Sequence, residues 1–317
     1  EAIEKMLTVL EKLGCGEKVK TNYIVAVATR ADCRHQGMMR SLLQASLQEM
    51  YRRKETFTWL MPAAEAIYRP FGFRFIYEKN KMTVTADVLR RAETDEKWQI
   101  HSDQEVSGDI FCEEAKKEDL AELACFAEKQ LSKLAEVYTV HDIAYFEQRM
   151  QEVGCEGGSL ILIRKEKEIC GYFLALKKDR EAWEIVVEDA VQKKAFPAVL
   201  HWFGASEEKC TFTAFPQIWE QYAQSENVPA IMGRIVHLER FVCCLKIKKE
   251  QEWKIRLTDS LVPENNGYFI IKTGIEGGSL IRVENLSEKE KKMFCSMDIG
   301  QLTEELFRLP VFLNEVV

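Results

Sequence analysis

The sequence predicts an α+β chain built on mixed α/β sheets, and three observations predict it. Residues 23–29 form an almost wholly apolar, β-prone run, closed by a polar turn and followed by apolar residues at helical spacing. An order of strands and then a helix returns at residues 159–203. From about residue 231 onward the strand patterns come first and the helical patterns last, which suits a sheet with helices on one face.

Each element has its own reason. Residues 2–13 read as an amphipathic helix, with Ile3, Met6, Leu7, Leu10 and Leu13 on one side and Gly14 and Gly16 stopping it. Residues 23–29 suit a strand buried on both faces. A helix over 37–53 follows from Met38, Met39, Leu42, Leu43, Leu47, Met50 and Tyr51 at three- and four-residue steps. Residues 56–61 read as a strand. Pro62 suits the first position of a short helix that carries Tyr68 and ends at Pro70 and Gly72. Alternation at 73–77 and 82–86 suggests a hairpin around Glu78, Lys79 and Asn80.

Residues 91–108 are charged and poor in apolar positions, so they read as a linker or exposed loop. Asp119 could cap a helix holding Leu120, Leu123, Ala124, Ala127 and Leu131. Strands at 159–163, 169–176 and 183–188 precede a helix at 193–203. Further strands read at 231–236, 253–258, 267–273 and 279–284, then helices at 288–296 and 299–307. Three segments result: 1–90, 91–228 and 229–317.

The chemistry concentrates in the turn Arg34-His35-Gln36-Gly37-Met38-Met39-Arg40. A helix start leaves its first N–H groups unpaired and carries positive partial charge, so an anion is stabilised there without any side chain. Gly37 lacks a Cβ, so a pyrophosphate could approach the backbone. Arg34 and Arg40 add positive charge. On this turn alone two readings stand together: an anion site, or an ordinary helix start with solvated arginines.

Arg34-x-x-Gly37 after a strand and opening a helix resembles the acetyl-CoA signature of the GNAT acetyltransferases. The usual pattern ends in Gly or Ala where this chain has Met39. Together with Ile67-Tyr68-Arg69-Pro70-Phe71-Gly72-Phe73, the turn resembles the Eis-like (enhanced intracellular survival) branch. The segments Arg234-Ile235-Val236 and 258–267 resemble the sterol-carrier-protein-like domain that closes Eis-like chains. The resemblance implies tandem GNAT-like units followed by a sterol-carrier-protein-like α+β domain. Residues 159–203 would then be a degenerate second unit, since no Arg-x-x-Gly turn lies between its last strand and its helix. A GNAT domain normally has more strands before its phosphate-binding strand, so part of the N-terminal region is expected to be missing from residues 1–90.

By that resemblance acetyl-CoA is the co-substrate. The backbone of Val25, Val27 and Ala28 would pair with its pantetheine arm, and residues Arg34, His35, Gln36, Gly37, Met38, Met39 and Arg40 would hold its phosphates. Tyr68 would be the general acid; a phenol of pKa about 10 is protonated at neutral pH and can donate to a nascent thiolate. Packing against Phe71 and Phe73 is its plain alternative. The terminal carboxylate of Val317 would be the general base, with Glu65 as fallback and Glu315 a further carboxylate nearby. An apolar ending, Leu309 to Val317, suggests a docked tail. The expected activity is acetyl transfer to a primary amine of a cationic small molecule or peptide, aminoglycoside-like or lysine-like. The family implies a homo-oligomer, a hexamer. The competing function is a catalytically silent lipid- or partner-binding scaffold using the C-terminal segment.

Composition narrows the classes. The net charge of −7 argues against general nucleic-acid affinity and admits cationic substrates. The ten cysteines contain no Cys-x-x-Cys pair and histidines are few, so no metal site is expected and free thiols in a reducing cytoplasm are. No apolar run approaches membrane-spanning length, and no signal peptide or membrane partner is expected.

Overall fold

The protein is described by a computed structural model over residues 12–13, 19, 21–25, 27–33, 36–85, 87–88, 110–204, 209–247, 250–308 and 310–313. In chain order the elements are β1 (Lys12–Leu13), β2 (Asn22–Tyr23), α1 (Met38–Arg52), β3 (Phe57–Leu60), α2 (Glu65–Tyr68), β4 (Arg74–Val84), β5 (Ile110–Glu114), α3 (Leu120–Leu134), β6 (Val137–Tyr138), α4 (Ile143–Cys155), β7 (Ser159–Lys165), β8 (Glu168–Leu176) and β9 (Glu181–Val187). There follow α5 (Gln192–Trp202), β10 (Cys210–Thr213), β11 (Ser225–Ile235), α6 (Leu238–Cys243), β12 (Lys246–Ile247), β13 (Gln251–Thr258), β14 (Gly267–Gly274), β15 (Gly277–Val283), α7 (Glu288–Lys291), β16 (Cys295–Asp298), α8 (Ile299–Leu306) and β17 (Val311–Phe312). The chain divides into two compact units, one of residues 1–77, 135–138 and 230–317 and one of residues 78–134 and 139–229. The sequence suggests three segments; by contacts, residues 1–77 and 230–317 gather into one unit.

In the first unit β2 lies parallel to β3, and β3 antiparallel to β11, with the start of β4 next in order. A second sheet runs β1-β12-β14-β13-β16, with β15 on β14. The pair β17–β6 stands apart from both. Helix α1 buries Leu43, Leu47 and Met50. Leu47 and Met50 pack with Val236, Leu261 and Val262, so the helix bearing the glycine turn rests on the 230–317 part of its own unit. Each such leucine contributes about 1.5–3 kcal/mol when fully buried.

In the second unit the order from β4 is β4-β10-β9-β8-β7-β5. Only the β10–β9 pair in this run is parallel. Its core gathers Ile161, Ile163, Phe173, Phe196, Phe212 and Trp219. Helix α3 has the apolar face the sequence predicts, with Leu120, Leu123, Ala127 and Leu131 buried. Asp119 does not cap that helix from outside; it sits at the end of a 3₁₀ turn and accepts from the backbone N–H of Lys116 at 2.8 Å.

Several expectations are corrected. Among the described residues the strand over 23–29 shrinks to Asn22–Tyr23, continued by the Ile24 N–H donating to the Trp59 carbonyl at 2.9 Å. Its single ladder partner among the described residues is β3, and Val25 is 60% exposed, so burial on both faces fails. The expected helix over 2–13 lies outside the described residues except at Lys12 and Leu13, which form a strand paired antiparallel with β12. No hairpin forms at 78–80, because β4 runs straight through. The Asn80 amide bridges the backbone of Phe215 at 3.0 Å in both directions, and β10 pairs residues 81–84. A partner strand here overrides local turn preference. Pro62 precedes α2 rather than opening it, since Ala64 is the extended residue before the first turn. The helix expected over 288–296 stops at Lys291, and Cys295–Asp298 becomes a strand parallel to β13. Elements β5, α4 and β10 had no counterpart in the sequence reading. The linker at 91–108 lies outside the described residues.

Among the described residues no helix is long and apolar enough to cross a membrane. No group of three His, Cys, Asp or Glu side chains there could hold a metal ion.

Candidate active site

The start of α1 has the properties of an anion cradle. Gly37 precedes the helix with φ 77° and ψ 4°, a left-handed conformation that glycine adopts without strain, and no side chain caps the helix. Among the described residues a Cβ built at Gly37 would meet nothing within 4 Å, so they leave the space over the turn open. The first N–H groups of the helix, from Met38 onward, have no intrahelical acceptor. Before the turn, Arg30 and Asp32 form a two-point ion pair at 2.8 and 3.1 Å, and the Gln36 amide donates to the Asp32 carbonyl at 3.0 Å. Arg34 and His35 lie outside the described residues. Val27 is half-buried and Ala28 exposed in irregular backbone, not in a strand. Met38 is exposed, whereas Arg40 leans its guanidinium over the Phe71 ring at 5.4 Å.

That contact joins the two segments singled out in the sequence. Met39, Ile24 and Phe71 pack against a buried cluster of Leu60, Tyr68, Phe73 and Met232. The glycine turn and the tyrosine turn, thirty residues apart in the chain, thus share one apolar cluster. Tyr68 is 6% exposed and its ring meets Phe73 edge-on at 6.1 Å. Burial raises its pKa above the ordinary 10, which keeps the phenol protonated. Among the described residues nothing hydrogen-bonds its hydroxyl, so the proton is left for another acceptor.

The carboxylates divide. Glu65 is engaged by Arg69, one helical turn on, in an exposed ion pair. Val317 and Glu315 lie outside the described residues. The chain just before them is docked: β17 pairs in parallel with β6, Leu313 is buried, and the Phe312 ring lies 6.1 Å from that of Tyr77.

Sequence reasoning missed two arginines that grip the tyrosine turn. Arg74 and Arg234 are both buried and donate to its carbonyls. The signal was legible: an arginine inside the apolar run Ile231 to Val236 needs a buried acceptor.

The second unit has its own helix start after a strand, and carboxylates flank it. Asp189 and Val191 bound a 3₁₀ turn before α5, and Glu188 stands beside it. The Gln192 amide donates to the Val187 carbonyl and to Asp189, and Trp219 donates to the Gln192 carbonyl at 2.7 Å. Here β9 carries Glu184 at φ 53°, beside a register shift against β8. The Glu184 carboxylate is buried; Tyr145 donates to it at 2.7 Å and Arg149 at 3.3 Å. His141 meets the Tyr172 hydroxyl at 2.6 Å. Burial, aided by the Arg149 charge, pushes the His141 pKa down to about 3.

Comparison with known proteins accords with this geometry. Residues 11–76 match the family model described as an acetyltransferase (GNAT) domain. No curated protein matches the sequence. The fold is similar to that of an Enterococcus faecalis protein described as a probable N-acyltransferase, with TM-score 0.70, 16% identity and coverage of 91% of this chain and 72% of that one. A GCN5-related N-acetyltransferase from Anabaena variabilis gives TM-score 0.68 at 16% identity, with 91% and 72% covered. Eis1 from Mycobacterium abscessus gives TM-score 0.61 at 14% identity, with 93% and 74% covered. The chain therefore carries a GNAT N-acetyltransferase domain, and its mixed α/β fold is one found among N-acetyltransferases.

Proposed function

We propose that the chain is an acetyl-CoA-dependent N-acetyltransferase that modifies the primary amine of a cationic small molecule or peptide. The observation that carries this is the joining of the first turn of α1 to Tyr68: Met39, two residues after Gly37, and the buried, protonated phenol share one apolar cluster. In this reading residues 34–40 receive the phosphates and the backbone at 25–28 lies along the pantetheine arm. The amine loses its proton and attacks the thioester carbonyl; the carbon–sulfur bond breaks; Tyr68 gives its proton to the departing thiolate. The terminal carboxylate of Val317 takes the proton from the amine. The docking of residues 311–313 supports that role, because it holds the chain in place four residues before Val317. The net negative charge supports a cationic acceptor.

The strand-then-helix order of residues 159–202 supports reading the second unit as a degenerate GNAT-like fold. Residues 229–317 are read as sterol-carrier-protein-like, and the protein as a cytoplasmic hexamer. An acetylation screen over amine classes tests the proposal, with release of free CoA thiol as the readout and melting with and without acetyl-CoA as the control. Turnover on at least one cationic amine is expected. No rise in melting temperature with acetyl-CoA and no turnover would overturn the reading in favour of a binding scaffold.

A further inference from the structure

The turn from Tyr68 to Phe73 is held by guanidinium groups at alternate carbonyls. Arg74 donates from one terminal nitrogen to the carbonyls of Arg69, at 3.0 Å, and Phe73, at 2.8 Å. Arg234 donates from Nε to the carbonyl between them, that of Phe71, at 2.8 Å. Carbonyls 69, 71 and 73 are thus each fixed by a buried cation, and between them Gly72 turns through φ +82°. A Cβ at Gly72 would stand 3.1 Å from the Arg234 Nε and 2.8 Å from Ile299, so the turn is pressed directly onto the group that grips it.

The grip is itself anchored. Arg234 donates to Asp259 at 2.6 Å, and both side chains are fully buried. The Asp259 carboxylate also accepts the N–H groups of Leu261 and Val262, each at 3.0 Å, and the Asn265 amide at 3.0 Å. The same Asn265 nitrogen reaches the Val236 carbonyl at 2.9 Å, two residues past Arg234. Arg74 lies flat on the first turn of α8, where a Cβ at Gly300 would overlap its guanidinium at 2.6 Å. Asp298 and Glu304 stand 3.6 and 3.7 Å from it. On β11, Met232 and Arg234 are two residues apart and so point to one face. Met232 packs in the Tyr68 cluster while Arg234 holds the turn that follows.

A buried ion pair is a poor source of stability, because desolvating both charges offsets most of their attraction. What such a pair supplies here is fixed geometry. The geometry points to Arg74 and the Arg234–Asp259 pair as positioning residues that set the Tyr68 hydroxyl for proton transfer. The inference rests on Tyr68 being the general acid. Displacing a catalytic group by about 1 Å can cost ~10²-fold in rate, so a clamp of this kind has catalytic consequences without touching substrate.

Two variants test it, the mild Arg74→Met and the paired Arg234→Met with Asp259→Asn, which keeps an acceptor for Leu261 and Val262. Each is made alone and with Tyr68→Phe, and a fluorine label on the Tyr68 ring reports its setting by NMR. The expected result is a fall in kcat of up to ~10²-fold with acetyl-CoA affinity unchanged. In the Tyr68→Phe background the same variants should have no further effect on kcat. The ring resonance should shift or broaden in both. A wild-type fluorine signal in the folded Arg74→Met protein would overturn the clamp whatever the role of Tyr68. Wild-type turnover of Tyr68→Phe would overturn the acid assignment instead, leaving the fluorine signal to judge the clamp. Equal losses of kcat in both backgrounds would mark the arginines as structural only.

Discussion

The two units each begin a helix after a strand and turn, and the two helix starts differ in backbone conformation and in local charge. At α1 the residue before the helix is Gly37, in a left-handed conformation, with open space among the described residues where a side chain would stand. At α5 that place belongs to Val191, with φ −117° and ψ 0°, at the end of a turn containing Asp189 and flanked by Glu188. Both helices offer the same partial positive charge. The first is preceded by a glycine, whereas the second is flanked by the carboxylates of Glu188 and Asp189, which repel phosphate. The polar side chains diverge in the same way. Tyr68 keeps an unengaged hydroxyl among the described residues, whereas Tyr145, Glu184 and Arg149 are consumed in bonds to one another. A helix start is thus a site only when backbone conformation, space and local charge agree.

This contrast can be broken most severely at Gly37. Gly37→Asp places a carboxylate, and a strained φ, at the turn; acetyl-CoA binding should be lost while the melting temperature without ligand changes little. Calorimetric titration checks it, and unchanged affinity in the folded variant would remove the site. Next in size is Tyr68→Phe, which keeps the packing and deletes the proton donor. A fall in kcat of ~10²–10⁴-fold with little change in KM for the amine is expected from steady-state kinetics. Amidating the terminus at Val317 removes the proposed base and should also reduce turnover severely; full activity would shift the role to another carboxylate.

Smaller effects sharpen the other side of the comparison. His141 has an ordinary pKa of 6.5 when unfolded and about 3 when folded. The unfolded state therefore binds more protons between these values, and stability falls as pH drops from 6.5 towards 3. At pH 5 this amounts to about 2 kcal/mol. The loss should be absent in His141→Gln and should therefore appear as a change in the stability difference between wild type and variant, measured by denaturant unfolding at pH 7 and pH 5. Asp189→Asn should leave acetyl-CoA affinity unmoved, since that helix start takes no ligand.

The parts of the fold most legible in sequence were those whose pattern is local. The spacing of Leu43, Leu47 and Met50 gave α1, and the apolar runs at 159–163 and 169–176 gave β7 and β8. The site was legible in part for the same reason: Gly37 and the Ile67-to-Phe73 run are contiguous motifs. What escaped depends on partners distant in the chain. Asn80 reads as a turn residue until Phe215 and β10 hold it in a strand. Residues 23–29 read as a buried strand, but β2 lies at the sheet edge, ends at Tyr23 and leaves Val25 exposed. Arg234 and Asp259 are separated by 25 residues, and only their burial together reveals the grip on the Tyr68 turn.

The central claim is that the first helix start, and not the second, receives the phosphates of acetyl-CoA. Hydrogen–deuterium exchange with and without acetyl-CoA measures it directly, because the first N–H groups of a helix lack intrahelical acceptors and exchange readily until a ligand bonds them. The account predicts slowed exchange across residues 37–43 on addition of acetyl-CoA and no change across residues 189–196. Protection at 189–196, or unchanged exchange at both helix starts under saturating acetyl-CoA, would contradict it.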